Sequence, residues 1–237
     1  MESPSLIDVQ IEPDSAYWLS IDVGIVHLAL VLVRVTPEFE LARIVWHQLF
    51  DIRRLKHKRV SEDDCELGHT ATITDRMAHI YQEHRHLFEM ASRILVERQP
   101  ITGLQAVQES LFAAWRDKLE LVSPGSMHRE LRLRGDYEAR KVQSVNLARH
   151  YFYARSNPVF PTGYALEDAS PEMCLRFECY LDKSNGNDKR SHDVADAVCI
   201  AVFVLKREAK ELARQRRKRE LAAKLPGSLE QYRRVRK

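Results

Sequence analysis

The first quarter of the chain alternates short apolar runs with turns. Residues 17–22, 27–35 and 43–50 are continuously apolar or alternate between apolar and polar positions, as β-strands do. Pro37 marks a turn between the second and third runs, and Gly24 lies in the connection before the second. Three consecutive strands with brief connections predict an antiparallel meander.

The remainder alternates helical and strand patterns, which predicts a sheet with helices on its faces. Residues 72–93 carry apolar side chains at spacings of three, four and seven, typical of an amphipathic helix. The other predicted elements are a strand over 94–99 ended by Pro100, a helix over 102–116, a strand over 119–123 broken by Pro124-Gly125, a helix over 136–155 with Asp136 and Gly135 at its start, an irregular insertion or lid over 156–188, and a helix from residue 191 into the basic tail.

Composition indicates an ordinary folded domain. The 237 residues are 44% apolar and 30% charged, enough to bury a core, with no bias of the disordered or collagenous kind. No apolar run is long enough to span a membrane, and the first 16 residues lack Lys and Arg, so we expect no signal or transit peptide and an intracellular protein. The cysteines form no CxxC pair and predict reduced thiols, with Cys199 buried in an apolar run.

Charge is unevenly distributed along the chain. Residues 206–237 contain 13 Lys and Arg against 4 Glu, a net charge of +9, while the rest holds 24 basic and 30 acidic residues, a net charge of −6. We therefore divide the chain into a polar leader (1–16), a folded domain (17–205) and a basic helical tail (206–237). Such a tail favours a polyanionic partner such as nucleic acid, although a merely solvated helix explains the charge equally well.

Four acidic residues occupy positions where a carboxylate is costly without a purpose. Asp22 and Glu97 end apolar strands, and Asp193 and Asp196 lie three apart at the start of the last helix, on one face. Converging carboxylates predict a site for hard divalent cations, Mg²⁺ or Mn²⁺, and two such ions serve phosphodiester hydrolysis. Taken singly, each acid also has a structural explanation as a helix cap, a turn residue or an ion-pair partner.

Several basic residues are candidates for contacts with phosphate groups. A loop cluster contains Arg53, Arg54, Lys56, Lys58 and Arg59, and the helix over 136–155 contributes Arg140 and Lys141. For the loop cluster, solvation alone is an equally good explanation. Within the tail, residues 214–219 (RQRRKR) suit either duplex arms or a nuclear-import patch.

Four motifs in order resemble those of the RuvC-like Holliday junction resolvases, a group with the RNase H-like fold. Residues 20–29 (SIDVGIVHLA) resemble the first motif, and residues 96–100 (VERQP) are similar to the form found in poxvirus-type and fungal mitochondrial enzymes. Residues 138–144 (EARKVQS) resemble the basic stretch that reads AEKSQV in bacterial RuvC, and residues 191–197 (SHDVADA) resemble the final acidic motif.

The resemblance implies an α/β RNase H-like mixed sheet and a homodimeric, Mg²⁺-dependent endonuclease that cuts four-way DNA by paired nicks. It implies Asp22, Glu97, Asp193 and Asp196 as ligands of two ions, and Lys141 as a contact to the scissile phosphate. It also implies no nucleotide cofactor and no membrane partner, and a large DNA virus as the first source, with a mitochondrial or nuclear enzyme second. His27 stands where the family often has Asn, and His192 where viral relatives often have an acid.

Two other functions remain open from the sequence. An actin-like or sugar-kinase-like phosphotransferase also has an Asp-x-Gly turn after its first strand, but it adds a later glycine-rich phosphate loop, which is not evident here with 8 Gly. A non-catalytic protein that binds branched DNA is the other alternative.

Overall fold

The computed structural model describes residues 15–24, 27–52, 73–100, 104–152 and 191–224. Within these ranges it contains five strands and six helices, in the order β1 (Ala16–Val23), β2 (His27–Val35), β3 (Leu41–Asp51), α1 (Ile73–Glu83), α2 (Arg85–Met90), β4 (Arg93–Glu97), α3 (Gln105–Trp115), β5 (Leu119–Val122), α4 (Pro124–Glu130), α5 (Tyr137–Phe152) and α6 (Ser191–Lys224). No helix among the described residues combines the length and apolar character that crossing a membrane requires.

The strands form one mixed sheet in the order β3-β2-β1-β4-β5. β1 pairs antiparallel with β2, and β2 with β3, whereas β4 runs parallel to both β1 and β5. This confirms the predicted mixed sheet with its first three strands antiparallel. The central position of β1 also explains its nearly continuous apolar sequence, because a strand with helices on both faces buries every side chain.

Alternating side chains of the central strands supply two separate cores. Trp18 of β1 and Leu95 of β4 pack with α5 and α6 on one face, where Cys199 is fully buried as predicted. Leu19, one residue after Trp18, and Ile94, one residue before Leu95, pack with α1, α2 and α3 on the other face. Alternate residues of β1 and β4 therefore point to opposite faces of the sheet and contact different helices.

The start of α5 matches the predicted cap. The Asp136 carboxylate accepts a 2.8 Å hydrogen bond from the Ala139 amide, which satisfies one of the amides left unpaired at a helix start. Gly135 just before it has φ of +94°, a conformation that residues with a Cβ rarely adopt. The predicted helix over 136–155 is described as far as Phe152.

The single helix predicted over 72–93 is wrong, because the chain breaks at His84 into α1 and α2, and Arg93 already belongs to β4. His84 has φ of −111° and ψ of 20°, outside the helical region. Its ring is buried against the rings of Trp46 and Phe50 on β3, with centroids 5.5 and 5.0 Å away. Packing against the sheet thus outweighs continuation of the helix.

The sequence predicted Pro124-Gly125 only as a break after a strand. The structure shows that α4 also begins at these residues. Pro124 occupies the first turn, where its missing amide hydrogen costs nothing. Met127 then buries its side chain in the core beneath α5 and α6, which fixes this short helix to the domain.

Candidate active site

Asp22 and Glu97 lie side by side at the ends of two parallel strands. The register of β1 and β4 pairs Ser20 with Leu95 and Ile21 with Val96, so the next position brings Asp22 beside Glu97. Both residues have the parity of the face covered by α5 and α6. The carboxyl ends of parallel strands are where open sheets place their ligands, and here they place two carboxylates.

The first turn of α6 supplies the other two acids. A buried hydrogen bond of 2.7 Å, donated by the Ser20 hydroxyl to the Ala197 carbonyl oxygen, fixes the start of α6 to β1 two residues before Asp22. Asp193 is buried, Asp196 is half-buried, and their three-residue spacing puts both on one side of the helix. His192 Nε2 lies 2.9 Å from an oxygen of Asp193.

The electrostatics show that all four carboxylates act on one another. Burial raises the pKa of the Asp22 carboxyl well above its usual value, and the charge of Asp196 raises it further. Glu97 and Asp193 act in the same direction, Glu97 also through a hydrogen bond. The same hydrogen bond lowers the pKa of Glu97, against the rise that burial causes. The four carboxylates therefore lie close enough to repel one another.

Glu97 and Asp196 are shifted in the same direction as Asp22. Burial raises the pKa of Glu97, against opposing hydrogen bonds with Asp22 and Gln99. Burial also raises the pKa of Asp196 to about 6, although a hydrogen bond with Ser144 and the charge of His192 oppose the rise. Both carboxylates would be held more favourably by a cation than they are alone.

α5 lies beside the acids, where its Ser144 contacts Asp196. Ser144 is fully buried, and besides Asp196 its hydroxyl bonds the Lys141 carbonyl oxygen at 3.0 Å. The Lys141 ammonium lies 3.8 Å from the centroid of the exposed Tyr137 ring, a cation–π contact. The Arg140 guanidinium donates to the Gly135 carbonyl oxygen at 2.7 Å. The structure thus places Lys141 one turn of α5 before the serine that contacts the acids.

The donor set is suited to Mg²⁺ or Mn²⁺, because it offers carboxylate oxygens of the kind that hard cations prefer. In the described part of the chain, no group of three or more carboxylate, imidazole or thiol side chains is already arranged to hold an ion. Like charges repel one another without a cation, and the raised pKa values of Asp22 and Asp196 include this repulsion. The ligand assignment therefore remains a prediction.

Some sequence predictions lie outside the described residues. These are the basic loop with Arg53, Arg54, Lys56, Lys58 and Arg59, the leader up to residue 14, the insertion over 156–188 and the tail after residue 224. His27, which stands in the first motif, is half-buried at the start of β2, in register with Asp51 of β3.

Comparison with solved structures identifies the fold. The chain is similar to the yeast mitochondrial Holliday junction resolvase, with 15% identity, 83% of this chain and 82% of that chain covered, and a TM-score of 0.52. The chain has the RNase H-like fold. At this identity, the likeness establishes the architecture of an RNase H-like domain and nothing about its activity.

Two further structures with the RNase H-like fold match at lower scores. The fowlpox virus resolvase, solved with Holliday junction DNA, matches with 10% identity over 80% of this chain and 97% of that chain, at a TM-score of 0.49. The RuvC of Thermus thermophilus matches with 17% identity over 79% and 92%, at 0.39. No protein-family model matches the sequence, and no curated protein matches it significantly.

Three residues that support the acids within the RNase H-like domain stand in the motifs quoted above, but none of them was given a role from the sequence. Ser20 joins β1 to α6, Ser144 joins α5 to Asp196, and the Gln99 side chain bonds Glu97. Ser144 carried a usable signal, because it is the polar member of the buried stripe that continues through Ala148 and Phe152 at four-residue spacing. Ser20 carried a weaker one, as a polar residue in an otherwise apolar strand.

Proposed function

We propose that this protein is a structure-selective DNA endonuclease that resolves four-way junctions by paired nicks. The observation that carries the proposal is the convergence of Asp22 and Glu97, on neighbouring strand ends, with Asp193 and Asp196 on α6. Within an RNase H-like fold, four neighbouring carboxylates on one face are suited to cation-dependent cleavage of a phosphodiester.

Each residue then has a defined task. Asp22, Glu97, Asp193 and Asp196 would hold Mg²⁺ or Mn²⁺, which when bound supplies a Lewis acid for hydrolysis. Ser144 and Ser20 orient α5 and α6 with respect to the acids through the hydrogen bonds described above. Lys141 would leave the Tyr137 ring to neutralise charge on the scissile phosphate.

Paired nicks also require two active sites, since each chain contributes one acid cluster. We therefore propose that the enzyme acts as a homodimer on branched DNA, with one cluster for each of two opposing strands. No nucleotide cofactor is needed for this reaction, because water is the second substrate.

The deciding experiment is cleavage of a synthetic four-way junction, with and without Mg²⁺, beside a linear duplex of the same sequence. Asp22→Asn, Glu97→Gln and Asp196→Asn should each lower nicking at least about a hundredfold while junction binding is retained. Asp117→Asn, at an exposed position after α3, is the matched control and should cut normally. Cleavage by Asp22→Asn at a near wild-type rate would contradict the assignment of the acids.

A supercoiled plasmid with an extruded cruciform tests the pairing of the nicks. Coupled cleavage by two subunits linearises the plasmid, whereas independent cleavage produces nicked circles. Dimers that combine one wild-type and one Asp22→Asn subunit should yield nicked circles only. Equal cleavage of the linear duplex would show a nuclease without selectivity for branched DNA. ATP-dependent stabilisation without any cleavage would favour the phosphotransferase.

A further inference from the structure

The second half of α6 extends away from the domain that the first half helps to build. Leu205 is still buried, but every described side chain from residue 213 to residue 223 is exposed, including Leu221. At about 1.5 Å per residue, the 34-residue helix is roughly 51 Å long. Its last three turns therefore gain nothing from packing, and a structural role within the domain does not account for them.

Positive charge is concentrated on one side of this extension. Lys206, Lys210, Arg214 and Arg217 follow one another at spacings of four, four and three residues, so they form a continuous line that we call the basic ridge. All four are exposed. Across residues 206–224 there are nine Lys and Arg against three Glu. None of those glutamates lies on the ridge, and Glu211 contacts it through an exposed ion pair of 3.7 Å with Arg214.

The domain holds the base of the ridge in a fixed direction. Lys210 is bound by Glu130 of α4, and Arg207 donates a 2.5 Å hydrogen bond to Glu120 of β5. The hydrogen bond from Lys210 lowers the pKa of Glu130, and the charges of Lys206 and Arg132 lower it further. Three cations from two parts of the chain thus surround a single carboxylate, and the surface remains positive after that pairing.

We infer that the basic ridge, with Arg132 beside its base, binds the sugar–phosphate backbone of a duplex DNA arm. A line of exposed cations on a straight helix matches the regular charge of a duplex backbone, and contacts of this kind are independent of base sequence. A rigid base is needed because an arm held by a freely moving segment would not be oriented. This inference rests on the proposed function, since the arm belongs to the junction that the acid cluster cuts.

The length of α6 sets the distance between the two sites. Asp196 and Arg214 are 18 residues apart, which is about 27 Å along the helix axis. At about 3.4 Å per base pair, a duplex arm must extend roughly eight base pairs from the cleavage site to reach Arg214. Shorter arms end before the distal half of the ridge.

The test compares Arg214→Ala/Arg217→Ala with Arg85→Ala/Arg116→Ala, an equal change in net charge. Arg85 lies on α2 and Arg116 directly follows α3, and both helices pack against the opposite face of the sheet. Binding is measured in EDTA, over a range of salt concentrations, to four-way junctions with arms of about 20 or about 6 base pairs. Hairpin loops close the short arms so that they stay paired. Circular dichroism confirms that the helix content of both variants is unchanged.

With long arms, we expect the ridge variant to bind at least tenfold more weakly than wild type, with the salt slope reduced by about two. The control should remain within twofold of wild type, and short arms should abolish the difference between ridge variant and wild type. Equal binding by ridge variant and control would overturn the inference. That result is expected if the ridge binds only a protein partner, such as an import receptor. Equal losses on short arms would also overturn it.

Failure of the proposed function gives a different result. Suppose that wild type cut no junction but the ridge variant still lost affinity for a linear duplex of about 20 base pairs. The ridge would then be supported as a duplex-binding surface, and the proposed nuclease function would be contradicted. If wild type and ridge variant cut and bound long-armed junctions equally, the nuclease function would be supported and DNA binding by the ridge would be contradicted.

Discussion

The Ser20 hydroxyl on β1 donates a buried 2.7 Å hydrogen bond to the carbonyl oxygen of Ala197 on α6, across 177 residues of sequence. Asp22 lies two residues after the donor, and Asp196 immediately precedes the acceptor. One contact therefore fixes the strand that carries the first acid to the helix that carries the last two.

Replacement of Ser20 by Ala should destabilise the protein by about 1 kcal/mol, because a fully buried hydrogen bond between two core elements is lost. Ser92→Ala is the matched control, since the Ser92 hydroxyl also bonds a carbonyl oxygen, that of Tyr17 at 3.0 Å, but from an exposed residue. Water can replace the latter bond, so we expect a loss below about 0.5 kcal/mol. Urea denaturation measures both, and equal losses would contradict the importance of burial.

Asp22→Asn should raise the stability of the metal-free protein while removing its response to Mg²⁺. The substitution removes the cost of burying a carboxylate and its repulsion by the other acids, together worth on the order of 1 kcal/mol, or a Tm rise of about 2–4 °C for a chain of this size. Mg²⁺ at ten times its Kd should stabilise wild type by about 1.4 kcal/mol and this variant far less. Thermal unfolding in EDTA and in Mg²⁺ tests both, with Asp117→Asn as control. A lower Tm for Asp22→Asn in EDTA would contradict the clustering of charge.

The acids also predict the pH dependence of the metal-free protein. The pKa of Asp196 is raised to about 6 and that of Asp22 well above its usual value, so the folded state binds protons that the unfolded state releases. Their contribution to stability is complete below about pH 4 and is lost as pH rises through about 6. Burial lowers the pKa of His84, which has the opposite effect, because stability then falls as pH drops below the usual histidine value.

The difference in unfolding free energy between wild type and an Asp22→Asn/Asp196→Asn variant isolates the acids, because His84 is common to both proteins. Relative to this variant, wild type should lose stability between pH 4 and pH 7 in EDTA, and the loss should be smaller in Mg²⁺. Urea titrations at each pH provide the measurement. If the difference in unfolding free energy did not change with pH, the raised pKa values of these acids would be contradicted.

A network of ion pairs connects the end of the sheet opposite the acids to the middle of α6. Glu120 of β5 accepts hydrogen bonds from Arg93 of β4 and from Arg207 of α6, and Glu208 also contacts both arginines. Glu120→Gln should cost about 1 kcal/mol, because the partly buried Arg93 and the exposed Arg207 lose their shared carboxylate. Glu89→Gln removes the exposed pair with Arg85 and should cost at most about 0.5 kcal/mol. Equal costs, measured by urea denaturation, would show that the network adds no more than a surface pair.

Local sequence was sufficient for most elements because their signals are local. The apolar alternation of β1, β2 and β3, the cap at Asp136 and the strand ending at Glu97 each depend on a few neighbouring residues, and each was predicted close to its observed place. The break at His84 was not predictable in this way, since its cause is the packing of the ring against β3. α4 was missed because Pro124 both ends a strand and starts a helix.

By itself, the sequence determined which side chains are available: four acids at strand ends and a helix start, in an order that resembles the resolvases. Only the tertiary structure decided that they act together. The parallel register of β1 and β4 places Asp22 beside Glu97, and the contacts of Ser20 and Ser144 bring α6 to both. The physical reason is that register and helix docking depend on the burial of two opposite sheet faces at once, a property of the assembled cores that no single segment contains.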